Sequence, residues 1–201
     1  MKVNLFFLYL IIKFCSLILI FLSFSNFVFS SCLNINSSLE LNEKILFSNN
    51  NDVLIVNSGV YVGNFAINSS IKIIGDGNVL FLSNKNKNIL DIVSSDVSVS
   101  NIIFYNSGKD MFLKDSCLFV KNKNNNIIIY KNYFSECGFG VWSDCSSYNY
   151  ISENIFIGTV DNFSSDRGNS IHLFRNNGTV VSNNFIINGR DGVYISNSKE
   201  V

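Results

Sequence analysis

The sequence predicts an all-β solenoid of parallel strands, and three observations carry that prediction. The chain repeats: Ser170-Ile171-His172-Leu173 and Gly192-Val193-Tyr194-Ile195 stand in one phase, twenty-two positions apart. Gly140-Val141-Trp142-Ser143 lies thirty positions before the first of these, one period plus an eight-residue insertion. A second marker follows fourteen positions on in each unit, from Gly140 to Asn154, Ser170 to Asn184 and Leu118 to Asn132. A fixed short period means a repeat array, whatever the local propensities. The side chains alternate with period two in runs of four to six β-branched and aromatic residues, as strands do. Gly and Asn gather at the corners between runs. A strand that pairs with its own copy one coil later must run parallel to it, so the chain winds into a ribbon that buries each apolar column on the next.

Superimposing the units places Val141, Ile171 and Val193 in one column and Ser143, Leu173 and Ile195 in another. Trp142, His172 and Tyr194 form the outward column between them. At the second marker Ile129, Ile151 and Val181 stack, and so do Tyr133, Ile155 and Phe185. Lys131, Glu153 and Asn183 are the polar column between those two. Asn132, Asn154 and Asn184 suit corners, because Asn tolerates left-handed backbone and its amides can bond one another up a stack.

Residues 1–30 carry only Lys2 and Lys13 as charges and are otherwise rich in Leu, Ile, Phe and Ser. They read as a signal peptide cleaved after Ser30, with an uncleaved anchor as the rival. Residues 31–52 are a polar segment that would cap the first coil, and residues 53–201 are the repeat domain. Asn101 stands thirty-one positions before Asn132, which implies a nine-residue excursion at 108–116, and a second excursion falls at 160–167. Excursions on a solenoid emerge as loops and often form the binding face. The unit opening at Gly192 would reach its Asn marker near position 206, so the last coil is expected to be incomplete at the C-terminal end.

Fifteen basic residues balance fifteen acidic ones, and without Lys2 and Lys13 the charge is two negative, which gives no electrostatic footprint for nucleic acid. Beyond the signal lie Cys32, Cys117, Cys137 and Cys145. In an oxidising compartment four cysteines allow three pairings. Cys117 and Cys137 stand about one coil apart and could bridge neighbouring coils; four unpaired thiols are the alternative.

Phosphate loops, paired CxxC sites and nucleophile elbows are absent. His172, the only histidine, reads as a solvent-facing strand residue more readily than as part of a triad. For metals, His172 and Met111 are the candidates beside the cysteines, without the tight spacing a copper site wants. Asp144, Asp161, Asp166 and Asp191 lie at turns, where paired carboxylates would suit a glycoside hydrolase, or a lyase with a neighbouring base. Arg167 beside Asp166 and Arg190 beside Asp191 read instead as turn pairs, so no catalytic residue is assigned. Trp142, His172 and Tyr194, with Arg167, Arg190 and Asp191, make the candidate interaction face.

The succession SGVYVG (58–63), IIGDG (73–77), NIIFYNSGKD (101–110), GFGVWSD (138–144), DRGNSIHLF (166–174) and NGRDGVYISNS (188–198) resembles the NosD family of nitrous oxide reductase maturation proteins. The resemblance runs from about Val53 to the end, and the last two stretches carry most of it. It implies a right-handed, single-stranded parallel β-helix of the pectate-lyase kind. It also implies a periplasmic accessory protein that is not an enzyme, binds no cofactor tightly and meets copper at most transiently. The implied partners are a membrane ABC transporter (ATPase plus permease), a copper chaperone lipoprotein and apo nitrous oxide reductase. A secreted polysaccharide-binding or polysaccharide-degrading β-helix is the alternative.

Overall fold

The structure is a computed structural model and describes residues 31–160 and 163–201; the predicted signal peptide and its cleavage point after Ser30 lie outside the described residues. The chain opens with β1 (Cys32–Ile35) and α1 (Ser38–Phe47), followed by β2 (Val53–Gly63), β3 (Phe65–Ile67) and β4 (Lys72–Ser83). Next come β5 (Leu90–Ile92), β6 (Ser98–Ser100), β7 (Ile103–Tyr105), β8 (Ser116–Val120), β9 (Ile128–Tyr130) and β10 (Tyr133–Ser135). The last strands are β11 (Phe139–Asp144), β12 (Tyr150–Ser152), β13 (Ile155–Ile157), β14 (Ile171–Phe174), β15 (Val180–Ser182), β16 (Phe185–Ile187) and β17 (Val193–Ser196).

Every strand pairing among the described residues is parallel, and the chain is an all-β solenoid of two separate sheets. A six-stranded sheet, the first face, stacks β3, β5, β8, β11, β14 and β17. The other sheet has two arms that meet at β4: the second face of β6, β9, β12 and β15, and the third face of β7, β10, β13 and β16. Both arms share β4 because that strand is 12 residues long and serves both faces, as does its partner β2. Pairing strands repeat the sequence period: Tyr133 stands beside Ile155, one bare period on, and Tyr150 beside Val180, one period plus the eight-residue insertion.

The core is organised by side chains lying over their own copies. Tyr61, Phe81, Phe104, Phe134 and Phe156 form an aromatic pile along the axis, with successive ring centroids 5.6, 5.6, 5.0 and 4.6 Å apart. Aromatic pairs at such separations contribute about 0.5–1.5 kcal/mol beyond simple burial. Val141 and Ile171 point inward in register, as do Ser143 and Leu173, and all four are fully buried. At the amino end Leu41 and Ile45 of α1 join the same core. Ser37 caps this helix by accepting from the Glu40 N–H at 3.2 Å, while the Glu40 carboxylate accepts from the Asn36 N–H at 2.9 Å.

The corner between the second and third faces corrects the expected columns. Asn101, Lys131, Glu153 and Asn183 hold left-handed backbone there, with φ of 58°, 55°, 53° and 55°. One corner residue drops out of the alternation, so every side chain beyond it changes face. Phe134 and Phe156 therefore point inward, and Tyr133, Ile155 and Phe185 point outward. Asn101 occupies the corner in register with Lys131, and Ile102 rather than Asn101 takes the place of Asn132. Opposite Val141 stands Leu118, so that coil is one residue longer than the marker spacing implied.

The asparagines just past the corner form a hydrogen-bonded ladder rather than supplying the left-handed backbone. Asn154 Oδ1 accepts from the Asn132 N–H at 2.9 Å and from Asn132 Nδ2 at 3.2 Å. Asn184 Oδ1 does the same for Asn154, at 2.9 and 3.0 Å. Each Nδ2 also reaches a carbonyl one coil back, Asn132 to Val99 and Asn154 to Ile129, both at 2.9 Å. The disulfide joins Cys117 of β8 to Cys137 in the turn before β11, while Cys32 and Cys145 are free.

Two substitutions test these stacks by urea denaturation. Phe134→Ala removes the ring that touches a neighbour on both sides and should lower stability by about 3–5 kcal/mol. Asn154→Ala orphans the Asn132 N–H and the Ile129 carbonyl and should cost about 2–6 kcal/mol, since each buried orphan costs ~1–3. Asn184→Ala, in the more open last rung, should cost less than Asn154→Ala.

Candidate interaction surface

On the outer side of the first face a column of side chains points away from the core. Asp91, Phe119, Trp142, His172 and Tyr194 follow one another there in register. The Trp142 and His172 rings stack at 3.7 Å with planes 20° apart, and His172 meets Tyr194 at 4.8 Å. Phe119 and Phe139 stand edge-on to Trp142, at 6.3 and 4.7 Å.

The expected solvent-facing His172 is corrected: it is 8% exposed and Trp142 is 7% exposed, and only Tyr194, at 41%, is open. The cover comes from residues that lie outside the repeat. In the loop between β7 and β8, Asp110 Oδ1 accepts from the N–H groups of Phe112 and Leu113 at 2.9 and 3.0 Å. This turn brings Met111 against Phe119, Phe139 and Trp142, and holds Lys114 Nζ 5.0 Å over the Trp142 ring. In the loop before β14, which includes the short 3-10 turn Ser164–Asp166, Asn169 Nδ2 lies 2.9 Å from His172 Nδ1. With the amide donating, the neutral imidazole carries its proton on Nε2. Both loops leave the same corner, between the third and first faces, and overlap the predicted excursions at 108–116 and 160–167; Asn169 lies just past the second, and residues 161–162 lie outside the described residues.

The predicted residues other than Arg167 thus gather around one column. Met111 packs against the cluster of Phe119, Phe139 and Trp142, Trp142 stacks on His172, and Tyr194 meets His172 at a tilt. Arg190 pairs with Asp191 at 3.2 Å, and the charges of both act on His172. Arg167 is half-buried two residues before Asn169. Trp142 Nε1, Asn169 Oδ1 and Arg167 Nε are buried without a hydrogen-bond partner among the described residues. Phe119, Phe139, Lys114 and Asn169 were not foreseen from the sequence. Phe119 is legible once Leu118 is aligned with Val141, and Phe139 opens β11 beside Ser116; Lys114 and Asn169 come from non-repeating segments and leave no periodic trace.

The acidic turn residues are each engaged separately. Asp144 faces Lys114 at 3.9 Å, Asp191 faces Arg190, and Asp166 accepts from Ser165. Asp161 lies outside the described residues. As for copper donors, no group of three or more His, Cys, Asp or Glu is near enough to hold an ion among the described residues. Cys117 and Cys137 are tied up in the disulfide, and burial together with the Asp144 carboxylate pushes the Cys145 thiol up, away from the thiolate that metals require. Met111 and His172 are two donors against one aromatic cluster, which does not fit a resident copper centre.

Comparison with curated proteins finds likeness to proteins of the NosD name, the resemblance the motifs carried. The chain is 32% identical over 135 residues to the "Probable ABC transporter binding protein NosD" of Stutzerimonas stutzeri. It is similar to NosD. The protein of that name from Pseudomonas aeruginosa is 29% identical over 135 residues. Each match takes in 67% of this chain, but the chain spans only about a third of those relatives, 31% and 32% of their lengths. No family model matches the sequence.

The environment of His172 sets a pH dependence. Burial, then the positive charges of Arg190 and Lys114, depress the imidazole to about 4, against partial opposition from Asp191 and Asp144. The unfolded chain takes up this proton near pH 6.5 and the folded chain only near 4, so the unfolded state binds more protons in between. Stability is therefore full above about pH 6.5 and falls as the pH drops towards 4, with roughly 2 kcal/mol lost by about pH 5. Urea midpoints at pH 7 and pH 5 should show the fall, and His172→Phe should remove most of it.

Proposed function

We propose that the chain is a periplasmic accessory protein that works with a membrane ABC transporter in maturing the copper centres of nitrous oxide reductase. The observation that carries this reading is the 32% identity to a protein named as a probable ABC transporter binding protein. The donor chemistry supports a docking scaffold over a copper store, and no step of the reading passes through copper held by this chain. A copper chaperone lipoprotein and apo-reductase are the further partners, with copper as the cargo exchanged between them. We take the coil as right-handed, in the manner of pectate-lyase-type β-helices, because crossovers between parallel strands wind that way in nearly all cases.

The contacts assigned to partners are Tyr194, the Arg190–Asp191 turn, Arg167 and the two loops that cover Trp142 and His172. A rigid stack supports them, so they present fixed positions to a partner at little ordering cost. Affinity tagging of the chain in membranes should recover the permease and ATPase, and Tyr194→Ala with Arg190→Ala should reduce that recovery several-fold. Deleting the gene should leave the reductase made but poor in copper; full copper content in the deletion strain sinks the role.

A second reading, binding to a secreted polysaccharide, is favoured by the open Tyr194 ring at the end of an aromatic column. Sugar rings stack on such faces, and retention on a polyuronate resin would support it against the first.

A further inference from the structure

The outer side of the third face is apolar from one end of the described coil to the other. Val60, Leu80, Ile103, Tyr133, Ile155 and Phe185 stand in one row, each in register with the next. The second row, two residues on in every strand, is aliphatic or aromatic except at Ser135. The inner sides of the same strands hold the aromatic pile. Strands that are apolar on both sides are the pattern of a sheet covered on both sides. The second face differs, with Lys72, Ser98, Ser100 and Ser182 among its outward residues. The first face differs too, since its own loops cover it.

Six strands at ~4.8 Å spacing make the wall about 24 Å long. With two side chains per strand its area is on the order of several hundred Å2, the size of a continuous apolar patch that marks an interaction site. At its edges Lys131 pairs with Glu153 at 3.7 Å and Lys109 with Glu136 at 3.1 Å. An apolar centre with a polar rim is the anatomy of a protein interface. The paired rim leaves no surplus of basic charge to attract an anionic lipid surface.

We infer that this wall packs against the same wall of a second copy of the chain, sheet on sheet, about a two-fold axis. An uncharged apolar surface is complementary to itself, which an isologous contact requires. The row starts at the small Val60 and ends at the large Phe185, with Tyr133 between them. A two-fold axis parallel to the strands sets the Val60 end of one copy against the Phe185 end of the other, which keeps the ~10 Å sheet separation even along the contact. The inference stands apart from the transporter reading: a dimer that recovers no transporter would sink that reading alone.

Sedimentation velocity of the full chain at micromolar concentration tests it. The chain should sediment as a dimer, and Tyr133→Lys with Ile155→Lys should halve the sedimenting mass while leaving the far-ultraviolet circular dichroism unchanged. Tyr194→Lys, on the first face, should remain dimeric. Should the double variant misfold, a bismaleimide cross-link decides, in a Cys32→Ser, Cys145→Ser background. Tyr133→Cys, near the axis, should couple to its copy, and Val60→Cys, far from the axis, should not. A wild-type monomer, a dimer that survives both lysines, or coupling at Val60 without coupling at Tyr133 would overturn the inference.

Discussion

Parallel, in-register stacking is the constraint on which the rest of this structure depends. When a strand pairs with its own copy one coil away, each position must accept the same class of side chain above and below. The Phe104, Phe134 and Phe156 rings meet that demand by lying nearly flat on one another, with planes 6° and 4° apart. The Asn132, Asn154 and Asn184 amides meet it with hydrogen bonds, each Oδ1 serving the N–H of the coil before. One stack removes apolar surface from water, and the other satisfies backbone groups that the corner takes out of the sheet ladder. Neither could be interrupted for one coil without leaving a void or an orphaned polar group inside.

The same constraint decides where the chain can vary. Left-handed corner residues need not be glycine, and Lys131 and Glu153 hold the conformation although it is costly for non-glycine side chains. The neighbouring asparagine ladder offsets that cost, and the outward side chains of the corner pair with each other as Lys131 and Glu153 do. The long excursions leave from the corner between the third and first faces. There glycine backbone meets backbone: a Cβ on Gly168 would lie 1.9 Å from the carbonyl oxygen of Gly138. Those glycines let the coils close beneath the loops, so an insertion of eight residues shifts no rung.

The architecture was legible because period and alternation are written in residue types. The bare and the lengthened spacings of the sequence are the pairings of the sheets, and the Trp142, His172, Tyr194 column stands in register. Two things were not legible. A single left-handed residue at Lys131 reverses the side-chain phase of the strand that follows, and Lys carries no mark of that conformation, so alternation alone sets Tyr133 in the inner column. The cover over Trp142 and His172 comes from Met111, Lys114 and Asn169, in segments with no repeat to compare. Spacing left the Cys117–Cys137 bridge as one alternative of two, because cysteine reads alike as a bridge or as a small core residue.

The two outer faces suit different kinds of recognition. The first face holds polar chemistry, but most of it is committed internally: His172 is stacked, bonded to Asn169 and neutral at ordinary pH, so it stabilises the column and cannot switch near neutrality. What that face offers outward includes the Tyr194 ring, beside the charges of Arg190 and Asp191, a contact whose strength should depend on salt. The third face offers no charge inside its rim, so its adhesion should scarcely respond to salt or pH. A scaffold that must hold one neighbour firmly while exchanging another gains from such a division. The plain apolar wall suits a lasting contact, and the mixed aromatic and charged face suits a partner that arrives and leaves.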